Sequence, residues 1–236
     1  MNTQKREIII TADGSSTIML SDLNESYHSI NGALAESRHI FIDNGLNRVI
    51  GSQGRDNSTS NRKISILETG LGTGLNCLLT IIEALKYPQY QFLYTAIELY
   101  PVTQEELRML NYITITGDEY LSLFNKIHAV PWGCCSEILP NFYLNKIRSD
   151  IKELKSPDIA TNPDVVYFDA FSPNIQPELW SSEIFKGIFS VMNPGSILVT
   201  YSSRGAVKSA LRDAGFVVKR VKGPVGKRHI TVAQRD

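Results

Sequence analysis

The chain reads Leu-Glu-Thr-Gly-Leu-Gly-Thr-Gly from residue 67 to residue 74, and this stretch constrains the fold more than any other. The apolar-alternating run before it, Lys63–Glu68, predicts a strand, and the Leu- and Ile-rich run Gly74–Tyr87 predicts a helix. Glycines in the connecting turn permit positive φ and let the backbone approach a ligand closely. They are Gly70, Gly72 and Gly74. This order indicates an α/β fold that holds a nucleoside cofactor, although an ordinary tight turn can show the same glycines.

Glu98 sharpens this interpretation. A second predicted strand, about Tyr90–Ile97, leads into Glu98, where nucleotide-binding α/β folds offer a carboxylate to ribose hydroxyls. A dinucleotide-binding turn would need its third glycine at position 75, which is Leu75, so the spacing fits NAD or FAD poorly. No Gly-Lys-Ser or Gly-Lys-Thr follows, which argues against a phosphate-binding loop. With Glu68 leading into the turn, the pattern resembles the first motif of class I methyltransferases that use S-adenosylmethionine.

Length and composition restrict the class of protein. The 236 residues suit one α/β domain, and 42% hydrophobic with 20% charged residues is ordinary for a globular protein. No apolar run approaches the length that spans a bilayer, and Ile8–Ile10 is too short for a secretory signal, so we expect a cytoplasmic protein without a membrane segment. The cysteines show no metal-ligand spacing, so we expect buried reduced thiols and no metal site. They are Cys77, Cys134 and Cys135.

Strand and helix patterns alternate along the chain from residue 63 onwards. The alternation predicts a Rossmann-like class I methyltransferase fold, with a mostly parallel seven-stranded sheet, helices on both faces and an antiparallel edge where the last two strands meet. The predicted strands are Lys63–Glu68, Gln91–Ile97, Lys126–Pro131, Asp164–Asp169, Ser196–Tyr201, Phe216–Val221 and Arg228–Ala233. A helix that places Trp180, Ile184, Ile188 and Met192 on one face is expected to pack against the core.

The first 62 residues are predicted to cover this core, and residues 1–236 to form a single domain. Ala-Asp-Gly-Ser-Ser separates the apolar runs Glu7–Thr11 and Thr17–Leu20, which predicts a hairpin. Asn24–Phe41 mixes polar, aromatic and helix-forming residues and predicts a helical cover. Gly51–Arg62 is almost free of apolar residues and predicts a mobile loop before the core of residues 63–236.

Asp169 ends the apolar run Val165–Phe168, at the rim of the predicted sheet. Ligands of open α/β sheets bind beyond the carboxyl ends of the strands, so Asp169 should lie near Glu98 and the glycine turn. Its carboxylate is suited to accept hydrogen bonds from an amine that receives a methyl group, with Phe171 stacked on a base or excluding water. The alternative is a structural role at the start of the helix near Pro177, although eight residues is too far for a direct N-cap.

The C-terminal region is strongly basic. Residues 201–236 contain nine Lys or Arg and two Asp, a local net charge of +7 in a chain whose formal net charge is zero. Arg204, Lys208 and Arg212 recur every four residues, so they share one helix face. Clustered cations suit the phosphates of RNA, whereas a solvated surface helix is the plain alternative.

Several motifs in order resemble the MnmC-like methyltransferase domain, over residues 27 to 236. They are Tyr27-His-Ser, Glu36-Ser-Arg-His39 with Phe41, Glu68-Thr-Gly-Leu-Gly-Thr-Gly-Leu-Asn76, Ile97-Glu98-Leu-Tyr-Pro101, Phe168-Asp-Ala-Phe-Ser-Pro173 with Pro177 to Trp180, Thr200 to Arg204, and Ala214-Gly-Phe216 through Gly226-Lys-Arg228. In the two-domain members, this domain transfers the final methyl to 5-aminomethyl-2-thiouridine at the tRNA wobble position, beside an FAD-dependent oxidase domain. The resemblance implies S-adenosylmethionine as cofactor and the tRNA anticodon loop as partner. We expect a free-standing methyltransferase whose aminomethyl substrate is supplied by a separate enzyme.

The resemblance also implies roles for individual residues. Asp169 would orient the amine as the catalytic residue, and the expected cofactor-binding residues are Glu68, Gly70, Gly72, Gly74, Asn76, Glu98, Cys134 and Asp169. Glu68 would hold the methionine ammonium directly or through water, and Glu98 would hold the ribose. The expected substrate-binding residues are Tyr27, which would close the pocket, Phe171, and the phosphate contacts Arg204, Lys208, Lys227 and Arg228.

Cys134 is the main departure from the family pattern. The family favours an Asp after the third strand to accept from the adenine amino group, and Trp132-Gly133 is followed here by Cys134. Ser136, a backbone carbonyl or apolar contacts would then have to replace that Asp. Two rival functions remain at this point: a methyl- or aminopropyltransferase acting on a small amine, and a non-catalytic RNA-binding module on the same fold.

Overall fold

The computed structural model describes residues 5–53, 62–153 and 162–236 of the chain. A three-stranded antiparallel sheet at the N-terminus contains β1 (Arg6–Ile10), β2 (Ser16–Leu20) and β3 (Glu25–Ser26). The predicted hairpin is confirmed, since Arg6 to Ile10 pair with Leu20 to Ser16 in antiparallel register. A helical stretch follows as α1 (Ala33–Ser37), a π-helix (Arg38–Leu46) and α2 (Asn47–Gln53). The predicted helical cover is thus confirmed only from Ala33 onwards.

The core is an eight-stranded sheet with the order β10-β11-β9-β8-β4-β5-β7-β6. Its strands are β4 (Arg62–Thr69), β5 (Tyr90–Ile97), β6 (Cys135–Leu139), β7 (Phe142–Ile147), β8 (Val165–Phe168), β9 (Ile197–Thr200), β10 (Val217–Lys222) and β11 (His229–Gln234). The five central strands, β9 to β7 in that order, run parallel. The predicted fold class and the antiparallel edge of the last two strands are confirmed.

The helices between the strands are α3 (Leu75–Ala84), α4 (Gln104–Met109), α5 (Tyr112–Thr116), α6 (Leu121–Ala129), α7 (Ser182–Val191) and α8 (Gly205–Asp213). Two apolar clusters bury the two faces of the sheet: one contains Ile64, Ile66 and the π-helix, and the other contains Leu67, Val166 and α7. The core-facing prediction for the helix after Pro177 is confirmed, since Trp180, Ile188 and Met192 are buried and Ile184 packs against them. Apolar side chains on both faces explain why the central strands read as continuous hydrophobic runs.

The third strand was predicted in the wrong place. Lys126–Pro131 is not a strand, because most of it belongs to α6, whose Phe124 and Ile127 are buried one helical turn apart. The strand that pairs in parallel with β5 is β7, and β6 pairs antiparallel with β7 as a second antiparallel edge. The sheet of the described residues therefore has eight strands rather than seven.

The predicted mobile loop, Gly51–Arg62, also differs from the structure at both ends. Gly51 to Gln53 complete α2, and Arg62 begins β4, so the core sheet starts at residue 62. Residues 54–61 lie outside the described residues. Among the residues that the structure describes, no helix is both long and apolar enough to cross a membrane.

Candidate active site

The glycine turn between β4 and α3 brings two strand ends together. Gly70 and Gly74 adopt φ angles of +89° and +77°, which confirms the predicted positive φ. A Cβ on Gly70 would stand 2.8 Å from the backbone oxygen of Asp169. The Gly70 amide donates to Ile97 O at 2.9 Å, which ties the turn to the end of β5. Glycine at position 70 therefore allows the ends of β4, β5 and β8 to meet.

Glu98 follows β5 and is held over the glycine turn by two backbone amides. Its Oε2 accepts from the Gly72 amide at 3.0 Å, and its Oε1 accepts from the Tyr100 amide at 2.7 Å. The carboxylate lines a cavity of about 300 Å³ beyond the carboxyl ends of the strands. A carboxylate has about four acceptor positions, so two remain for the hydroxyls of a ligand.

Asn76 connects two carboxyl groups at the start of α3. Its Nδ2 donates to Glu68 Oε1 at 2.9 Å and to Asp169 Oδ2 at 2.8 Å. Glu68 is fully buried and is absent from the cavity wall, so it lies behind Asn76 rather than against a ligand. Desolvation raises the pKa of Glu68 well above its usual range, because burial favours the neutral form of the carboxyl. This placement differs from a direct contact between Glu68 and the methionine ammonium, and the contact through water stays a prediction.

Asp169 stands at the end of β8 and lines the cavity. Its amide donates to Thr69 O at 3.1 Å, and Asn76 fixes one of its carboxylate oxygens. Desolvation raises the pKa of Asp169 from 3.8 to about 7, although the hydrogen bond from Asn76 acts in the opposite direction. A carboxyl with this pKa can bind and release a proton near neutral pH.

Two aromatic rings form another part of the cavity wall. Tyr27 and Phe171 pack edge to face with ring centroids 5.1 Å apart, and both line the cavity. Trp180 Nε1 donates to Phe171 O at 2.9 Å, which fixes the segment after Asp169. The predicted association of Tyr27 and Phe171 with one pocket matches this geometry, and a flat heterocycle could pack against the pair.

Asp150, rather than Cys134, follows the third parallel strand at the cavity. β7 ends at Ile147, and Ser149 and Asp150 line the cavity. Asp150 Oδ1 accepts from the Lys152 amide at 3.0 Å, and its Oδ2 lies 3.2 Å from Lys152 Nζ. Cys134 is exposed and is not part of the cavity wall. The departure from the family pattern that we inferred at Cys134 came from misplacing the third strand. The strand in that position is β7, and Asp150 follows it.

The predicted phosphate contacts separate into two groups. Lys227 lines the cavity, where Nζ bonds to Glu36 Oε1 and lies 4.5 Å from the centroid of the Tyr201 ring. This position is inside the pocket and differs from the predicted contact with flanking phosphates. Arg204, Lys208 and Arg228 lie outside the cavity wall, and the first and last of these are exposed.

Glu36 and Asp150 are among the residues of the cavity wall that sequence reasoning did not assign to the site. Glu36 is 7% exposed and lies on α1, 191 residues before Lys227. The motif Glu36-Ser-Arg-His39 was the available signal for Glu36. For Asp150, the alternation of Phe142 and Leu144 could have indicated the preceding strand.

Metal ligands and thiols do not contribute to the described cavity. In the described ranges, no group of three or more His, Cys, Asp or Glu side chains is placed to hold a metal ion. Cys77 is buried, as predicted, whereas Cys134 and Cys135 are exposed, contrary to prediction. The wall of the described cavity includes carboxyl groups, backbone amides, aromatic rings and the cationic side chains of Arg6, Lys152 and Lys227.

Comparison with known families agrees with this geometry. The family model of an S-adenosyl-L-methionine-dependent methyltransferase, Methyltransf_30, matches residues 116–236, which is slightly more than half of the chain. The chain belongs to this methyltransferase family. Its cofactor is therefore S-adenosylmethionine, as the glycine turn and Glu98 predicted.

Curated relatives of this methyltransferase match most of the chain. The tRNA 5-methylaminomethyl-2-thiouridine biosynthesis bifunctional protein MnmC of Cupriavidus necator is 31% identical over 223 residues, which cover 89% of this chain and 32% of that protein. The MnmC protein of Burkholderia mallei is 29% identical over 241 residues, which cover 96% of this chain and 35% of that protein. The chain thus spans about one third of the length of these relatives.

Solved structures support the same fold. MnmC2 from Aquifex aeolicus superposes with a TM-score of 0.75 at 26% identity, covering 100% of this methyltransferase and 72% of that chain. Spermidine synthase from Thermotoga maritima superposes with a TM-score of 0.57 at 13% identity, covering 100% of this chain and 71% of that chain. The second likeness shows a shared fold and carries no information about the substrate.

Proposed function

We propose that this methyltransferase transfers a methyl group to the aminomethyl nitrogen of 5-aminomethyl-(2-thio)uridine at the wobble position of tRNA. The relatives named above supply the substrate class. The observation that carries the proposal is the Asp169 carboxyl, which Asn76 holds at 2.8 Å in a cavity that also contains the glycine turn and the Tyr27–Phe171 pair. An oriented acceptor with a pKa of about 7 suits an amine that must lose a proton.

The residues at one end of the cavity fit S-adenosylmethionine. Gly70 and Gly72 leave free the space that a Cβ would fill beside Asp169 and Tyr27. Glu98 would accept from the ribose hydroxyls, and Asp150 would accept from the adenine amino group. Bound there, S-adenosylmethionine supplies an activated methyl on a sulfonium ion.

Asp169 and the aromatic pair would prepare the acceptor. Methyl transfer from a sulfonium requires a neutral amine aligned with the methyl group, so orientation and exclusion of water are the protein's main contributions. The Asp169 carboxylate would accept an N–H of the amine and take its proton. Tyr27 and Phe171 would pack against the uracil ring and limit access of water.

Wobble bases lie in a single-stranded loop, so such a base can be turned into the cavity at modest unstacking cost. The flanking phosphates would then meet cations outside the cavity. Arg204 is the exposed N-cap residue of α8 and Arg212 is exposed in its last turn, whereas Val207 and Leu211 are buried. Arg228 is exposed beside the cavity residue Lys227. We assign Arg204, Lys208 and Arg228 to the RNA backbone.

Charge reversal tests this RNA surface. The double variant Arg204→Glu and Arg228→Glu should weaken tRNA binding about 10-fold or more and reduce the salt slope of log Kd by about two, because each lost phosphate contact removes about one unit. Filter binding at several salt concentrations measures both. Lys63→Glu, at the amino end of β4 and exposed, is the matched control and should retain binding. Equal losses in both proteins would contradict the assigned surface.

Asp150 and Cys134 make opposite predictions for cofactor binding. Asp150→Asn should raise the Kd for S-adenosylmethionine about 10-fold, because the adenine amino group loses a charged acceptor. Cys134→Ser should leave that Kd unchanged, since Cys134 is not part of the cavity wall. Isothermal titration calorimetry on both variants distinguishes the two positions. A weaker complex with Cys134→Ser alone would restore the position that the family pattern suggested.

Labelled S-adenosylmethionine tests the proposed reaction directly. The purified protein is incubated with tRNA from cells that lack this methyl transfer, and the digested nucleosides are analysed. Label on 5-aminomethyluridines supports the proposal; label only on added small amines supports the small-amine transferase, and tRNA binding without label supports a non-catalytic module. Nucleoside analysis of the starting tRNA verifies that the aminomethyl group is present before the protein is added.

A further inference from the structure

Glu36 and Lys227 form an ion pair inside the cavity, on the acceptor side of Asp169. Lys227 Nζ bonds to Glu36 Oε1 and lies over the ring of Tyr201, whose hydroxyl donates to Ala170 O at 2.9 Å. Glu36 Oε2 is buried and accepts no hydrogen bond from any of the residues that the structure describes. A buried acceptor without a donor is unfavourable, so this atom is suited to a donor brought by a ligand.

The order of the strands separates this pair from the cofactor end. Glu98 follows β5 and Asp150 follows β7, on one side of β4. Asp169 follows β8, Tyr201 follows β9, and Lys227 precedes β11, on the other side of β4. Glu36, Lys227 and Asp169 all line the same cavity, so the pair lies near the carboxyl that would hold the amine.

The edge of a uracil ring matches the groups that this pair presents. In a 5-aminomethyluracil, O4 lies beside the aminomethyl group, and N3–H is the next group along the edge. O4 needs a donor and N3–H needs an acceptor, and Lys227 with Glu36 offers these two adjacent groups. Cytosine reverses the pattern, since it has an amino donor at position 4 and an acceptor at N3. The pair carries no net charge, which suits a neutral base edge.

We propose that the Glu36–Lys227 pair reads the uracil edge of the target base, with Lys227 Nζ donating to O4 and Glu36 Oε2 accepting from N3–H. The two are specificity-determining residues, while Asp169 holds the amine. This inference rests on the proposed function, and it excludes a base whose N3 is blocked or whose edge is that of cytosine.

Synthetic anticodon stem-loops test the inference with the unmodified protein. They carry 5-aminomethyluridine, its N3-methyl derivative or 5-aminomethylcytidine at the wobble position, and kcat/KM is measured for each. We expect at least about 100-fold lower kcat/KM for the last two RNAs, because a site built for hydrogen bonds rejects a base that leaves them unpaired. Equal transfer to uridine and cytidine overturns this inference and leaves the proposed function intact. Absence of transfer to every RNA overturns both.

Variants locate the discrimination within the pair. The preference for uridine over cytidine should fall to about 10-fold or less in each of the single variants Glu36→Gln and Lys227→Met. It should fall equally in the double variant, in which no charge is left unpaired. The KM for S-adenosylmethionine should stay unchanged, and calorimetric binding of the cofactor verifies that each variant is folded. Lys63→Met removes a lysine exposed at the opposite end of β4 and should keep the preference. A raised cofactor KM with an intact base preference would place the pair against the cofactor and overturn the inference.

Discussion

Replacing Asp169 by Asn should lower kcat for methyl transfer at least about 100-fold, because the amine loses its negatively charged acceptor and its route for proton loss. Asn keeps the shape of the side chain, and its Oδ1 can still accept from Asn76 Nδ2, which stands 2.8 Å from the native carboxylate. The Kd for tRNA should change little, since the phosphate contacts lie on other residues. Single-turnover rates and filter binding measure the two quantities separately.

The pH profile gives a second measurement of Asp169. Its pKa is raised to about 7 by desolvation, so the carboxyl is neutral below pH 7 and ionised above it. If the carboxylate is the active form, ionisation of Asp169 should contribute about 10-fold per pH unit to the single-turnover rate below pH 7 and nothing further above it, in addition to the rise caused by titration of the substrate amine. In Asp169→Asn the step at about pH 7 should disappear, and only the titration of the substrate amine should remain.

Two controls make this test specific. Glu98→Gln should affect mainly the KM for S-adenosylmethionine, because Glu98 lies at the cofactor end of the cavity and bonds to the amides of Gly72 and Tyr100. The change in single-turnover rate at about pH 7 should remain in Glu98→Gln. A loss of tRNA affinity in Asp169→Asn that equals the loss of rate would contradict the role in catalysis and indicate a role in substrate binding.

Local sequence chemistry predicted much of the fold and of the cofactor end. The glycine turn needs no distant partner to be visible, because positive φ at Gly70 and Gly74 is a property of residue type. The runs that became β4, β5 and β8 are buried on most positions, so their hydrophobicity was continuous. Residues that directly follow such strands, Glu98 and Asp169, were therefore placed at the correct edge of the sheet.

The third strand could not be predicted by the same reasoning. β7 alternates buried and partly exposed residues and includes Lys146, which is 1% exposed but reads as a polar position. The ammonium of Lys146 donates to His128 O at 3.0 Å and lies 4.9 Å from the centroid of Trp132, which explains how it is tolerated there. Meanwhile, the apolar residues of α6 resembled a short strand. Asp150 was missed because it follows the strand that was missed.

Contacts between distant segments were also invisible in the sequence. Glu36 and Lys227 are 191 residues apart, and Lys227 belongs to the basic stretch of residues 201–236. Charge clustering alone could not separate the half-buried Lys227 from its exposed neighbour Arg228. The two residues differ only in the folded protein, where Lys227 in the β10–β11 connection pairs with Glu36 of α1 and Arg228 is exposed.

Replacing Gly70 by Ala should remove most of the activity, although the residue has no functional group. Its φ angle of +89° is unfavourable for alanine, which costs about 1–2 kcal/mol of folding free energy. The added Cβ would also stand 2.8 Å from the backbone oxygen of Asp169, so the strand end that carries Asp169 must move. We expect kcat/KM to fall at least about 100-fold, because small displacements of a catalytic group cost this much.

Gly195→Ala separates the effect of position from the effect of backbone strain. Gly195 has a φ angle of +85°, and a Cβ there would meet no atom within 4 Å, so it carries the strain without displacing a neighbour. Both variants should lose a similar part of the free energy of unfolding in urea, whereas only Gly70→Ala should lose methyl transfer and cofactor affinity. If Gly195→Ala lost as much activity as Gly70→Ala, strain and lowered stability would explain both. Retained activity in Gly70→Ala would show that the contact between the turn and the end of β8 is not needed to position Asp169.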